Sequence, residues 1–180
     1  SIIKQPRAIR TAYYNGATLV YVGSKQFSMD RAYVLIDYES DGVNDAEFII
    51  FESSSVGSSY SPASLALSFD GNYDLYISLT DALIKCDGNV HEQVLAFTSM
   101  EDRLTNCNKI MDIPLTAEDA SKSYNVRRYI GFSPTSNQLC MANGVTCDYC
   151  ASDSAPNTFP HGTITCFNDI SSAAMMNTNM

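Results

Sequence analysis

Five Asn-Gly or Asp-Gly pairs punctuate the chain, at Asn15-Gly16, Asp41-Gly42, Asp70-Gly71, Asp87-Gly88 and Asn143-Gly144. Such pairs accept positive φ at little steric cost, which is what tight hairpins demand. Each lies near a run rich in β-branched and aromatic residues. The runs are "TLVYVG" (18–23), "AYVLIDYE" (32–39), "AEFIIFES" (46–53), "SLALSF" (64–69), "YDLYISL" (73–79), "EQVLAFTS" (92–99), "RRYIGFS" (127–133) and "GTITCFN" (162–168). Short strands at hairpin spacing predict a mostly β fold, an antiparallel β-sandwich of jelly-roll or other Greek-key type, with at most one or two short helices.

One hairpin is specified closely. Leu65 and Leu67 alternate with Ala66 and Ser68, and Leu75 and Ile77 alternate with Asp74, Tyr76 and Ser78. A three-residue loop at Asp70-Gly71-Asn72 pairs Phe69 with Tyr73, Leu67 with Leu75 and Leu65 with Ile77. A slip of one residue would set Leu67 against Asp74, so the apolar pattern selects this register.

Helix signals are sparse. "PLTAEDASKSY" (114–124) has Thr116 as an N-cap with Glu118 and Asp119 in the first turn. "SLTDALIKC" (78–86) is read as holding a short helical turn. "SSSVGSSYSPAS" (53–64) reads as an exposed, mobile Ser-rich loop. The chain divides into an N-terminal arm or edge strand (1–12), a single β-sandwich domain (13–170) and an uncharged tail (171–180).

Charged residues make up only 17% of the chain, against roughly 25% in typical domains. Ser, Thr and Asn supply much of the polar surface, as in exported, surface-displayed or virion proteins. The net charge of −9 argues against nucleic acid as a partner of the main body. Lys4, Arg7 and Arg10 form a local exception at the start. No apolar run is long enough to span a bilayer. The chain opens on Ser1, which implies loss of a Met, a signal peptide or a polyprotein neighbour. None of its asparagines lies in an N-x-[ST] sequon, which favours a prokaryotic or viral source.

Six cysteines, Cys86, Cys107, Cys140, Cys147, Cys150 and Cys166, predict disulfides in an oxidising compartment. Sequence alone does not choose among the 15 pairings. The stretch "CMANGVTCDYC" (140–150) reads as a stapled hairpin or loop around Asn143-Gly144. Cys147, Cys150, His161 and Cys166 are also the ligand types of a structural zinc site in C-x2-C-x10-H-x4-C spacing.

"DYESDGVND" (37–45) places Asp37, Glu39, Asp41 and Asp45 around Gly42. These are candidate calcium ligands. The EF-hand pattern fails because position 12 is Phe48 rather than a bidentate Glu. The competing reading is a solvated turn. Nucleophilic catalysis has thin support: His91 and His161 are the only histidines, and His91 reads as an exposed turn residue. Carboxylate pairs for glycoside hydrolysis would come from Asp37, Glu39, Glu47 or Glu52. Tyr-rich strands suit interfaces or sugar stacking as well as the pleat itself.

The expected function is therefore structural, without enzymatic activity. The chain is read as a disulfide-stabilised β-sandwich subunit of an extracellular, cell-surface or virion assembly (a capsid, surface or filament component). Its partners would be copies of itself or other assembly subunits. The alternatives are a lectin-like or calcium-dependent adhesin domain with a glycan partner, and a secreted glycan hydrolase.

Overall fold

The computed structural model describes residues 2–26, 29–68, 71–113, 126–133, 135–136, 138–145 and 164–167. It is mostly β, with three antiparallel sheets and one short α-helix among the described residues. The first sheet holds β1 (Pro6–Tyr14), β2 (Ala17–Gln26), β3 (Met29–Asp37) and β4 (Ala46–Glu52). The second holds β5 (Ser64–Leu67), β6 (Leu75–Ser78), β7 (Ala82–Cys86) and β8 (Cys107–Asp112). The third holds β9 (Val126–Phe132), β10 (Leu139–Val145) and β11 (Ile164–Phe167). Helix α1 (Val90–Leu95) lies between β7 and β8. Within every sheet the strand order follows the sequence, and the non-sequential neighbour of a Greek key is absent among the described residues.

Turn chemistry sets the first hairpin. Asn15 and Gly16 both have positive φ (49° and 86°), and Tyr14 pairs directly with Ala17. That is the two-residue loop whose twist matches paired strands. The β5–β6 register sets Leu65 opposite Ile77 and Leu67 opposite Leu75. Phe69 and Asp70 lie outside the described residues.

The second sheet is covered on both faces. Leu65, Leu75, Ile77 and Ile84 pack into one core with Leu19, Val34 and Ile50 of the first sheet. Their alternating neighbours Ala66, Tyr76, Leu83 and Met111 pack into another, with Ile130, Leu139, Met141 and Phe167 of the third. Hence Asp74, Tyr76 and Ser78, the more polar side of the β6 alternation, are buried. Each is accommodated. Lys85 Nζ lies 3.4 Å from Asp74. Tyr76 meets Phe132 edge-on at 5.3 Å. Ser78 Oγ donates to the Arg128 carbonyl at 2.5 Å. Ser64, the cross-strand partner of Ser78, accepts from the Ile130 amide at 3.1 Å. Two small hydroxylated residues side by side thus hold the backbone of β9 against the central sheet.

Four expectations are corrected. "EQVLAFTS" (92–99) is not a strand, because α1 covers its start. Asn89 caps that helix, its side chain accepting from the Glu92 amide, and Val90 and Val94 are buried one turn apart. "SLTDALIKC" (78–86) holds no helical turn; it closes β6 and forms β7, a short apolar run whose periodicity cannot separate helix from strand. Asn143-Gly144 is no turn, since it continues β10 opposite Arg128 and Arg127. The Ser-rich segment (53–64) is not simply an exposed loop. It forms a 3-10 turn at Ser53–Val56, buries Ser53 and Ser58, and bonds Ser58 to Asp81 and Ser61 to Asp30, each at 2.8 Å. β1 is the edge strand of its sheet. The helix expected at 114–124 and the tail 171–180 lie outside the described residues.

Two-sided burial gives a test. Tyr76→Ala and Ile77→Ala, neighbours facing opposite cores, should each lower the unfolding free energy by about 2–5 kcal/mol in denaturant titrations. In a sheet with one wet face, one of the two would be nearly silent.

Candidate functional site

The cysteines are placed by strand register. Cys86 of β7 stands opposite Cys107 of β8, and Cys140 of β10 opposite Cys166 of β11. Both pairs are disulfides, with Cα separations of 3.9 and 4.0 Å. Cys166 is therefore bonded to sulfur and is not the thiolate that the zinc reading needs. Cys147, Cys150 and His161 lie outside the described residues. Two disulfides fit an oxidising, extracellular setting. Among the described residues, no helix is long and apolar enough to cross a membrane.

In the acidic loop the carboxylates are bonded to the loop's own backbone. Asp37 accepts from the amides of Asp41 (3.1 Å) and Gly42 (2.8 Å). Asp41 accepts from the Val43 amide at 2.9 Å, and Asp45 from the Tyr38 amide at 2.8 Å. Glu39 is exposed. Ser40 (φ 53°) and Gly42 (φ 89°) make the sharp reversal. Asp and Asn favour turns for this reason: a short polar side chain satisfies nearby backbone donors. Among the described residues, no group of three or more His, Cys, Asp or Glu side chains is placed to hold a metal ion. The other acids weighed for hydrolysis are also engaged. Glu47 accepts from the Ile2 and Ile3 amides at 3.0 and 3.2 Å. Glu52 pairs with Arg31 at 3.1 Å and Arg103 at 3.4 Å.

The densest polar cluster forms around His91, and its burial corrects the expectation of an exposed turn residue. His91 is 3% exposed. It shares a buried hydrogen bond of 2.7 Å between Nδ1 and the Tyr21 hydroxyl. The rings of Tyr14, Tyr21 and Tyr73 stand 5.3, 5.7 and 5.1 Å from its own. Burial pushes the Tyr21 phenol pKa up and the His91 imidazole pKa down, so the bond joins two neutral groups. Tyr14 donates to Glu92 at 2.9 Å and accepts from the Asn89 side chain at 3.1 Å. Tyr73 is held at φ 55°, and its carbonyl accepts from the Val90 amide at 3.1 Å. One orphan donor of the first helical turn is thereby satisfied.

This cluster locks α1 to the end of the first hairpin and to the loop before β6. His91 is enclosed by tyrosines and bonded to one of them. Sequence reasoning missed Tyr14, Tyr21, Tyr73 and Asn89 as a unit. The readable signal was the cap spacing, Asn89-x-x-Glu92, which places a helix where alternation suggested a strand. No protein-family model matches the chain, and no curated protein matches it.

Two outcomes follow for stability. The folded state binds a proton at His91 less readily than the unfolded chain does. As pH falls below about 6.5, the ordinary His value, the unfolded chain therefore takes up that proton first, and stability drops. Denaturant titrations between neutral and mildly acid pH should show this decline, and His91→Phe should flatten it. Reduction provides the second. Disulfides closing sequence separations of 21 and 26 residues restrict the unfolded chain. Each should stabilise the fold by about 3 kcal/mol, read as a lower unfolding midpoint in Cys86→Ser/Cys107→Ser and in Cys140→Ser/Cys166→Ser.

Proposed function

We propose that this chain is a structural interaction protein without catalytic activity, a disulfide-stabilised, sandwich-like β subunit of an extracellular or virion assembly. The observation that carries the reading is the destination of its reactive groups. Asp37, Asp41, Asp45, Glu47 and Glu52 bond the protein's own amides or guanidinium groups, and His91 bonds Tyr21 inside the fold. The polar chemistry that an enzyme would aim into a cleft serves here to hold loops, a helix and a sheet in place.

Two further features support this reading. The disulfides join strands that are already neighbours, and so harden sheets without shaping a site. The low fraction of charged residues, 17%, leaves Ser, Thr and Asn to supply much of the polar character, as in exported or surface-displayed proteins.

Native mass spectrometry with and without reductant tests the proposal. The expected result is a multimer of the 19.7 kDa chain whose protomer mass is short by one hydrogen pair for each disulfide. A monomer at high concentration, or free thiols at Cys86 and Cys107, would overturn it.

A further inference from the structure

The outer face of the first sheet carries an apolar row, and part of that row is covered. Ala8, Tyr21, Val34 and Ile50 pack toward the core, so their neighbours Ile9, Val22, Tyr33 and Ile49 face away. Register aligns these four across the sheet, with Ile9 opposite Val22, Val22 opposite Tyr33 and Tyr33 opposite Ile49. Val22, Tyr33 and Ile49 belong to neither core, yet they are 3%, 0% and 8% exposed, while Ile9 at the end of the row is 54% exposed. The segment before β1 lies over the covered part. At the β2 end, Ser24 Oγ donates to the Lys4 carbonyl, and the Lys25 amide donates to the Gln5 carbonyl at 3.3 Å. At β4, Glu47 accepts from the Ile2 and Ile3 amides at 3.0 and 3.2 Å. Residues 2–5 therefore cross the outer face from β2 to β4, over the strand that carries Tyr33.

The hinge of this arm is strained. Gln5 has φ 48°, a region that is costly for a residue with a Cβ, and the next residue is Pro6, whose ring pushes its predecessor toward extended backbone. An arm running straight on from β1 would escape both penalties, but it would leave its own sheet. The seat, by contrast, reads backbone. The amides of Ile2 and Ile3 and the carbonyl of Lys4 are met there whichever copy supplies them.

We propose that residues 2–5 are an exchanged arm, seated in the assembled protein on the outer face of a second copy while that copy's arm sits on the first. The inference rests on the assembly-subunit reading and names the contact it uses. Exchange keeps the contacts of Ile2, Ile3 and Lys4 and relieves two hinges for each pair formed, which is the difference that favours it over the closed form. At dilution the tether favours the arm's own sheet; at the density of an assembly the neighbour's sheet is as near, and the hinges decide. The only charge on residues 2–5 is Lys4, and the copy that receives it carries a net −9, so charge draws the arm in.

Sedimentation velocity on the full chain at high concentration tests the hinge, and cysteine trapping tests the exchange itself. Wild type should sediment as a dimer or a multiple of it. Gln5→Gly, which tolerates the bend, should raise the dissociation constant by about tenfold. Gln5→Pro, which forbids positive φ, should hold the arm out and keep the protein associated. Copies bearing Ile3→Cys and copies bearing Glu47→Cys, mixed, diluted, reconcentrated and mildly oxidised, should form a disulfide between position 3 of one and position 47 of the other. Val43→Cys, exposed on the acidic loop, should trap no arm in the same mixture. A multimer indifferent to Gln5→Gly, with no trap between mixed copies, overturns the exchange and leaves the subunit reading standing. A monomeric wild type overturns both.

Discussion

The bond between the Ser64–Ser78 pair and the backbone of β9 is the contact on which the layered arrangement depends. A sheet with helices or sheets on both faces usually fills both with large aliphatic side chains. Here one face does so, through Leu65, Leu75, Ile77 and Ile84. The other carries Ser64, Ala66 and Ser78 near β9, small enough to let a strand's backbone come close. Close approach is tolerable only if the polar groups of that backbone are met. The two hydroxyls meet one carbonyl and one amide two residues apart on β9. Replacing either serine with a larger apolar residue would leave a buried backbone group unpaired, which is costlier than losing the contact area.

The same economy recurs at the other junctions. The His91–Tyr21 bond fixes α1 against the first sheet, and the Arg31–Glu52–Arg103 group ties β3 and β4 to the segment after the helix. Gly23 is a third such place. A Cβ there would stand 2.9 Å from the Pro62 carbonyl, so β2 meets the segment leading into β5 only because the side chain is absent. In each case a specific polar group or a missing methyl, rather than bulk apolar area, decides how elements meet.

Sequence made part of this legible. Alternation of Leu65, Leu67, Leu75 and Ile77 gave the register of β5 and β6, because a one-residue slip would have turned an apolar face outward. Asn15-Gly16 gave the first hairpin through backbone geometry alone. What stayed hidden was non-local. The face of β6 bearing Asp74, Tyr76 and Ser78 looks like a solvent face until the third sheet is laid upon it. His91 looks like a turn residue until three tyrosines from distant positions enclose it. An Asp-Gly or Asn-Gly pair does not by itself mean a hairpin: Asp87-Gly88 uses positive φ at Gly88 (85°) to lead into α1, and Asn143-Gly144 runs within a strand. Disulfide pairing was set by which strands are neighbours, a property that cysteine spacing does not encode.

The sequential order of strands within each sheet has a further consequence for how such a chain is made. Every hydrogen-bond ladder seen among the described residues closes between segments that leave a ribosome or an export pore one after the other. The first sheet can assemble its ladder before the second has emerged, and the second before the third. Each disulfide likewise needs only the strand just delivered and its immediate predecessor. Vectorial delivery therefore matches the topology, with low loop-closure cost at each step. The risk falls on the interval after the central sheet forms and before its second face is covered, when Tyr76, Leu83 and Met111 are open to a stranger.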